Sequence, residues 1–300
     1  MNVSRIQKVI ATVAYADVFA YPLTEDEIRY WATGGMSSLP PFGRLLQITE
    51  SGGTAYVHLP GRRGTVRQRE KKKAIAAHKW HRIYHVMNHF RFIPTLLLVG
   101  VTGGLAVDNA KEEDDIDVFF IARKHTVWIT RMMVTLVAEG LGIRRRPNDG
   151  SVADKICLNM FMSEDELSLP GSEHDLFAAH EVLQMVPLWQ RDGVYGRFLS
   201  ANRWVKYFLP RAFRERVRVA DQVASATQGL LRPLVFVCRL LEPLAKYTQL
   251  WYMNSRRTNE VIRAGMIRFH PRDARVWVRE KFESRLKLRH IPLDKIFYHR

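Results

Sequence analysis

The sequence predicts a mixed α/β (α+β) protein, and three observations carry that expectation. Two continuous apolar runs, Thr95–Val101 and Asp117–Ala122, have the length and the Pro, Gly and charged boundaries of buried strands. Lys155–Met162 reads as a third strand. Between the second and third, Thr126–Glu139 carries apolar side chains at helical spacing and closes on Gly140 and Gly142. Strand, turn, strand, helix, strand is a compact unit with a mixed sheet.

What precedes this unit reads as two regions. In residues 1–64, Ile6, Val9, Ile10, Val13 and Ala14 recur at helical spacing up to Tyr21-Pro22. Thr24 and Glu27 then form a capping box that starts a second helix. A short helix around Pro41–Gln47 and two β-like stretches joined by Ser51-Gly52-Gly53 complete a winged-helix-like order. DNA recognition through that region needs basic side chains on its third helix, and Arg44 is the one basic residue between Ser37 and Gln47. Residues 65–92 form a connecting helix in which Arg67, Arg69, Lys71, Lys72, Lys73, Lys79 and Arg82 oppose a single acid, Glu70. That is either a polyanion-contacting arm or a solvated face. His81, His85 and His89 share one side of it without a carboxylate, a poor metal site. The α/β unit spans 93–168, and 169–300 reads as mostly helical, broken at several prolines.

Composition bounds the function. Forty-six Lys+Arg against thirty Asp+Glu give a formal charge of +16, a field that attracts polyanions. Cys157 and Cys238 sit in apolar runs without a zinc-type pair and read as reduced core thiols, so a cytoplasmic setting is expected. The most apolar late run, Leu230–Leu244, is interrupted by Arg232, Pro233, Arg239 and Glu242, so no membrane insertion is expected. His180-Glu181 lacks the second histidine of a zinc protease, since position 184 is Gln184. The aromatics of Gln184–Trp189 and Trp204–Phe208 fit core packing better than base stacking.

The chemistry concentrates in Gly103-Gly104 and, ten residues on, Asp115-Ile116-Asp117. On a strand, residues i and i+2 share a face about 7 Å apart along the chain. Two carboxylates so placed converge on divalent ions roughly 3.5–4 Å apart, as in-line phosphoryl displacement requires. Ile116 between them points into the core, and the repulsion of the pair demands a metal or a basic partner. Glycines after the first strand let backbone N–H groups approach phosphate oxygens.

These residues resemble the signature of the DNA polymerase β-like nucleotidyltransferase superfamily: glycine, then Gly or Ser, a short helix, and Asp-x-Asp on the next strand. The match covers about 70 of the 300 residues. Tyr21-Pro22-Leu23-Thr24, Trp128-Ile129-Thr130-Arg131, Lys155–Asn159 and His180-Glu181 extend the likeness to bacterial nucleotidyltransferase-domain proteins of similar length. The resemblance implies that Gly103 and Gly104 bind a nucleoside triphosphate and that Asp115 and Asp117 ligate Mg2+, or Mn2+ in its place. A nucleoside monophosphate would then pass from NTP to an acceptor hydroxyl, on RNA, another polyanion, a protein or a small molecule. Asn109 and Arg131 are further nucleotide-binding candidates. Active relatives carry a third carboxylate on a later strand, where this sequence offers Asn159; Asp154 and Glu164 bracket that strand and would serve only in another register. The alternative is a catalytically silent nucleotide- or nucleic-acid-binding protein on the same scaffold.

Overall fold

The computed structural model describes residues 3–146, 149–225, 232–254, 260–263, 265–269 and 274–298. Among them the α/β unit forms as its sequence pattern predicts: β3 (Leu96–Val101), α4 (Gly103–Ala106), β4 (Ile116–Ala122), α5 (Val127–Gly140) and β5 (Ile156–Ser163). β4 runs antiparallel to β3 and parallel to β5. That mixture lets α5 cross between two parallel strands, while residues 102–115, with α4 among them, join the antiparallel pair.

The sheet does not end there. Its order is β6-β3-β4-β5-β8-β7, with β6 (Val186–Gln190), β7 (Glu260–Arg263) and β8 (Met266–Phe269) drawn from the region expected to be mostly helical. Residues 169–300 therefore complete the sheet begun in 93–168. β6 escapes sequence patterning because it is short and carries Pro187, which an edge strand tolerates. β7 and β8 are four residues each, too short for alternation to register.

Both faces of the sheet are covered. Phe119, Ile121 and Met162 pack with α1 (Arg5–Val18), α6 (Leu176–Gln184), α7 (Val194–Ala201) and α10 (Ala274–Lys287). On the other face Ile116, Val118, Phe120 and Phe161 pack with α3 (Gly64–Met87), α5 and α9 (Arg232–Asn254). Asp117 shares the first face with Phe119, and Ile116 anchors the second, as alternation requires.

At the N-terminus, α1 and α2 (Glu25–Trp31) each begin in a capping box, Ser4 with Gln7 and Thr24 with Glu27. β1 (Gln47–Ser51) and β2 (Thr54–His58) form the hairpin, bridged by Leu23 to Val57. The third helix expected at 41–47 is absent: residues 43–45 form a turn, with Gly43 in the left-handed region after Pro40-Pro41. The element that would read DNA in a winged helix does not form.

The connecting helix, α3, is basic but turns several cations inward. Arg69 donates to both carboxylate oxygens of Glu27, at 2.7 and 2.8 Å, and lies between the rings of Tyr21 and Tyr56. Lys79 is buried and donates to the Glu112 carbonyl at 3.1 Å, the Asp114 carbonyl at 2.7 Å and Asp154 at 2.7 Å. Lys72 donates to the Asn109 Oδ1 at 3.0 Å. Arg67, Lys71 and Lys73 stay exposed, as do His81, His85 and His89, which form no metal-ligand group.

Candidate functional site

Gly103 adopts φ +67°, and a Cβ built on it would stand 2.6 Å from Asp117 Oδ2. The position demands glycine twice over, by backbone conformation and by the carboxylate pressed against it. Gly104 differs: a Cβ there would meet its nearest atom, the Asn109 carbonyl, at an ordinary 3.5 Å. The Thr102 N–H donates to the Asp117 carbonyl at 2.9 Å, which locks the glycine turn onto β4. α4 is a single turn, so the backbone of the glycine turn, more than a helix dipole, offers the N–H groups.

The register of β5 on β4 corrects the third position. Asp117 stands opposite Cys157 and Val118 opposite Leu158, but Phe119 faces Met160. Asn159 is the extra residue of a β-bulge and has no partner of its own on β4. Oxygen and sulfur atoms of Asp115, Asp117 and Cys157 all lie within 4.8 Å of one another. Cys157, expected as a core thiol, is half-buried beside the carboxylates, where burial and then Asp117 push its pKa up. It is held as a neutral thiol, a poor ligand for magnesium; the two carboxylates supply the hard oxygens that ion takes.

The demanded basic partner is Arg145, whose Nη1 donates to Asp115 Oδ2 at 2.6 Å. Asp117 has no such partner. Burial, then repulsion from Asp115, pushes its pKa up to about 7.

Asn159 is 6% exposed; its Nδ2 donates weakly to Thr102 Oγ1 at 3.5 Å, and its Oδ1 has no hydrogen-bond partner. An orphaned buried amide oxygen fits a cation or a ligand donor. Asp154 and Glu164 are engaged elsewhere, the first by Lys79 and the second by Arg197 at 3.0 Å and the Lys124 N–H at 3.1 Å. Neither replaces Asn159.

Gly103, Gly104, Asn109, Asp117 and Asn159 open into one cavity of 740 Å³. Its far walls are apolar and aromatic: Tyr15, Phe19, Trp31, Met160, Phe177 and Phe198. Asn109 is tied by Lys72 and by its own bond to the Phe19 carbonyl at 3.1 Å, so it shapes the wall. Arg131 does not reach the cavity; it donates to Gln249 on α9, across the sheet, and leaves the nucleotide-binding set. Asp115, paired with Arg145, is not among the residues that line the cavity.

A carboxylate enters from an unexpected element. Glu181 on α6 lines the cavity, makes no hydrogen bond or ion pair among the described residues, and has its pKa pushed up to about 7 by burial and then Asp117. The neighbouring carboxylates are spoken for, Glu27 by Arg69 and Glu173 by Arg268 at 2.7 Å. His180 beside it is held neutral, its pKa lowered to about 3 by burial, and stacks on Tyr15 with ring centroids 4.2 Å apart. Nothing in the His180-Glu181 dipeptide distinguishes it from core; only the docking of α6 against α4 brings Glu181 to the site.

The chain matches no family model, no curated protein and no solved structure.

Proposed function

We propose that the protein is a metal-dependent nucleotidyltransferase whose acceptor is the hydroxyl of a small molecule held in the 740 Å³ cavity. The observation that carries this reading is the contact of Gly103 with Asp117: a glycine turn fit for phosphate and a carboxylate fit for metal share one cavity wall. Asp115 and Asp117 would hold Mg2+, which when bound stabilises charge on the transferring phosphate. Arg145 marks where positive charge is wanted beside Asp115. In the transfer the acceptor oxygen bonds to the α-phosphorus, the α–β bridging P–O bond breaks, and pyrophosphate leaves with that electron pair. Glu181 takes the hydroxyl proton, a role suited to a carboxylate whose pKa lies near neutrality. A pocket of this volume with an apolar lining suits a small molecule rather than a nucleic-acid strand. The inward turn of Arg69, Lys72 and Lys79 also weakens the case for a polyanion arm.

A second reading, binding without transfer, has its own support: Cys157, a thiol, stands opposite Asp117 on β5, the strand on which active members of the resembled superfamily carry a third carboxylate, and Arg145 already neutralises Asp115. One experiment separates the two. Each α-labelled NTP is incubated with magnesium, protein and a small-molecule fraction of cell extract, and labelled adducts are sought. Transfer that Glu181→Gln slows by roughly 10²–10⁴-fold, with NTP binding retained, is the expected result. Retained binding with no labelled adduct from any NTP favours the silent reading.

A further inference from the structure

α9 is amphipathic the wrong way round for a helix that merely caps a sheet. Its inner seam, Val235, Cys238, Glu242, Ala245, Gln249 and Met253, packs against α5 and carries the helix's one acid and one of its two amides. Glu242 accepts from the backbone N–H groups of Trp128 and Ile129 at 2.9 and 2.8 Å, capping α5, and Gln249 donates to the Trp128 carbonyl at 2.8 Å. The outer arc is the apolar one. Phe236, Leu240, Leu244, Tyr247 and Trp251 are each at least 60% exposed, and Leu234, Val237, Leu241 and Tyr252 extend the stripe. Single exposed apolar residues are ordinary, but a contiguous row along a helix of 23 residues marks an interaction face.

Charge identifies what the face meets. Arg239 and Lys246 are exposed along this arc, and the helix's one acid, Glu242, is turned inward. A two-fold pairing of this face with a second copy would bring these cations together without a compensating acid. An anionic surface suits them, and the chain's formal charge of +16 adds long-range attraction. Tyr247 and Trp251 have the apolar body and polar tip that favour the headgroup boundary of a bilayer. The helix does not cross a membrane: none among the described residues is long and apolar enough to do so. We infer that the exposed face of α9 docks the protein in the plane of an anionic lipid bilayer, Arg239 and Lys246 meeting headgroups while Phe236, Leu240 and Trp251 enter the acyl boundary.

The test is flotation of the full chain with vesicles of phosphatidylcholine, with and without phosphatidylglycerol, alongside the Phe236→Ser, Trp251→Ser double variant. Native protein is expected to float with the anionic vesicles and about tenfold less with the zwitterionic ones. The double variant should partition at least about tenfold less, at an unchanged melting temperature because both side chains are exposed. Absence of flotation overturns the inference. So does flotation that the double variant leaves unchanged, which assigns it to diffuse positive charge. A dimer in sedimentation that the substitutions dissolve, without flotation, makes a second copy the occupant and overturns it as well.

Discussion

Gly103→Ala is expected to weaken magnesium-dependent nucleotide binding by at least about a hundredfold, equivalent to about 2.7 kcal/mol. The methyl group would enter the space of Asp117 Oδ2, 2.6 Å from the built Cβ, and the carboxylate would have to leave the position in which it would face the proposed metal. The left-handed backbone adds about 1–2 kcal/mol of folding cost for a residue with a Cβ. Gly104→Ala is the control for that second effect, because its φ is not positive and its nearest neighbour is at ordinary contact distance. Its stability should stay within about 0.5 kcal/mol of native. Calorimetric titration with ATP and magnesium, with thermal unfolding of each variant, measures both. Native affinity in Gly103→Ala would mean that the glycine turn does not position the site.

The largest effect on stability is expected from Lys79→Met. The buried ammonium joins α3 to the carbonyls of Glu112 and Asp114 and to Asp154, so one substitution strands three acceptors. Removing one partner of a buried charge pair costs about 3–5 kcal/mol. For a chain of this size that lowers the melting temperature by roughly 6–15 °C. Because Asp114 precedes Asp115, the loop carrying this proposed metal ligand loosens with it, and nucleotide affinity should fall together with stability. Asp154→Asn keeps all three acceptors but leaves the buried ammonium without its counter-charge, so it should also destabilise, by less than Lys79→Met because the Asp154 side chain is 24% exposed. A Lys79→Met protein within about 1 kcal/mol of native would show that the ammonium is only a surface charge in disguise.

Lys79 also illustrates what the sequence reveals. Its place in a run of cations reads as a solvated or polyanion-binding face, because a charge run carries no mark of which members tertiary packing turns inward. The three core strands and the Asp115/Asp117 pair are legible because continuous apolar runs, their Pro, Gly and charged boundaries, and the i, i+2 spacing of the two acids are local signals. The capping box at Thr24 and Glu27 was local too. The bulge at Asn159 was not: one extra residue in β5 moves Cys157 opposite Asp117, and nothing between Lys155 and Met162 announces it. Glu181 arrives through helix docking and Arg145 through an isolated bridge between its neighbour Arg144 and Ile156, both long-range events. Arg131 was misjudged for a related reason, since helical spacing alone does not tell which side of the sheet α5 covers.

Asp115 and Asp117 are proposed to hold a divalent ion together with a nucleoside triphosphate, and calorimetric titration of each NTP with and without magnesium measures that binding. The comparison protein is the Asp115→Asn, Asp117→Asn double variant. In metal-free protein the Asp117 pKa is raised from 3.8 to about 7, so its contribution to stability is present at acid pH and lost as pH rises toward neutrality. Asp117→Asn removes that penalty, and the double variant should remain folded above neutral pH even though Arg145 loses its partner. The expected result is binding of at least one NTP that requires magnesium, releases a proton when measured below pH about 7, and vanishes in the folded double variant. Binding that ignores magnesium, or that survives unchanged in the double variant, would contradict the assignment.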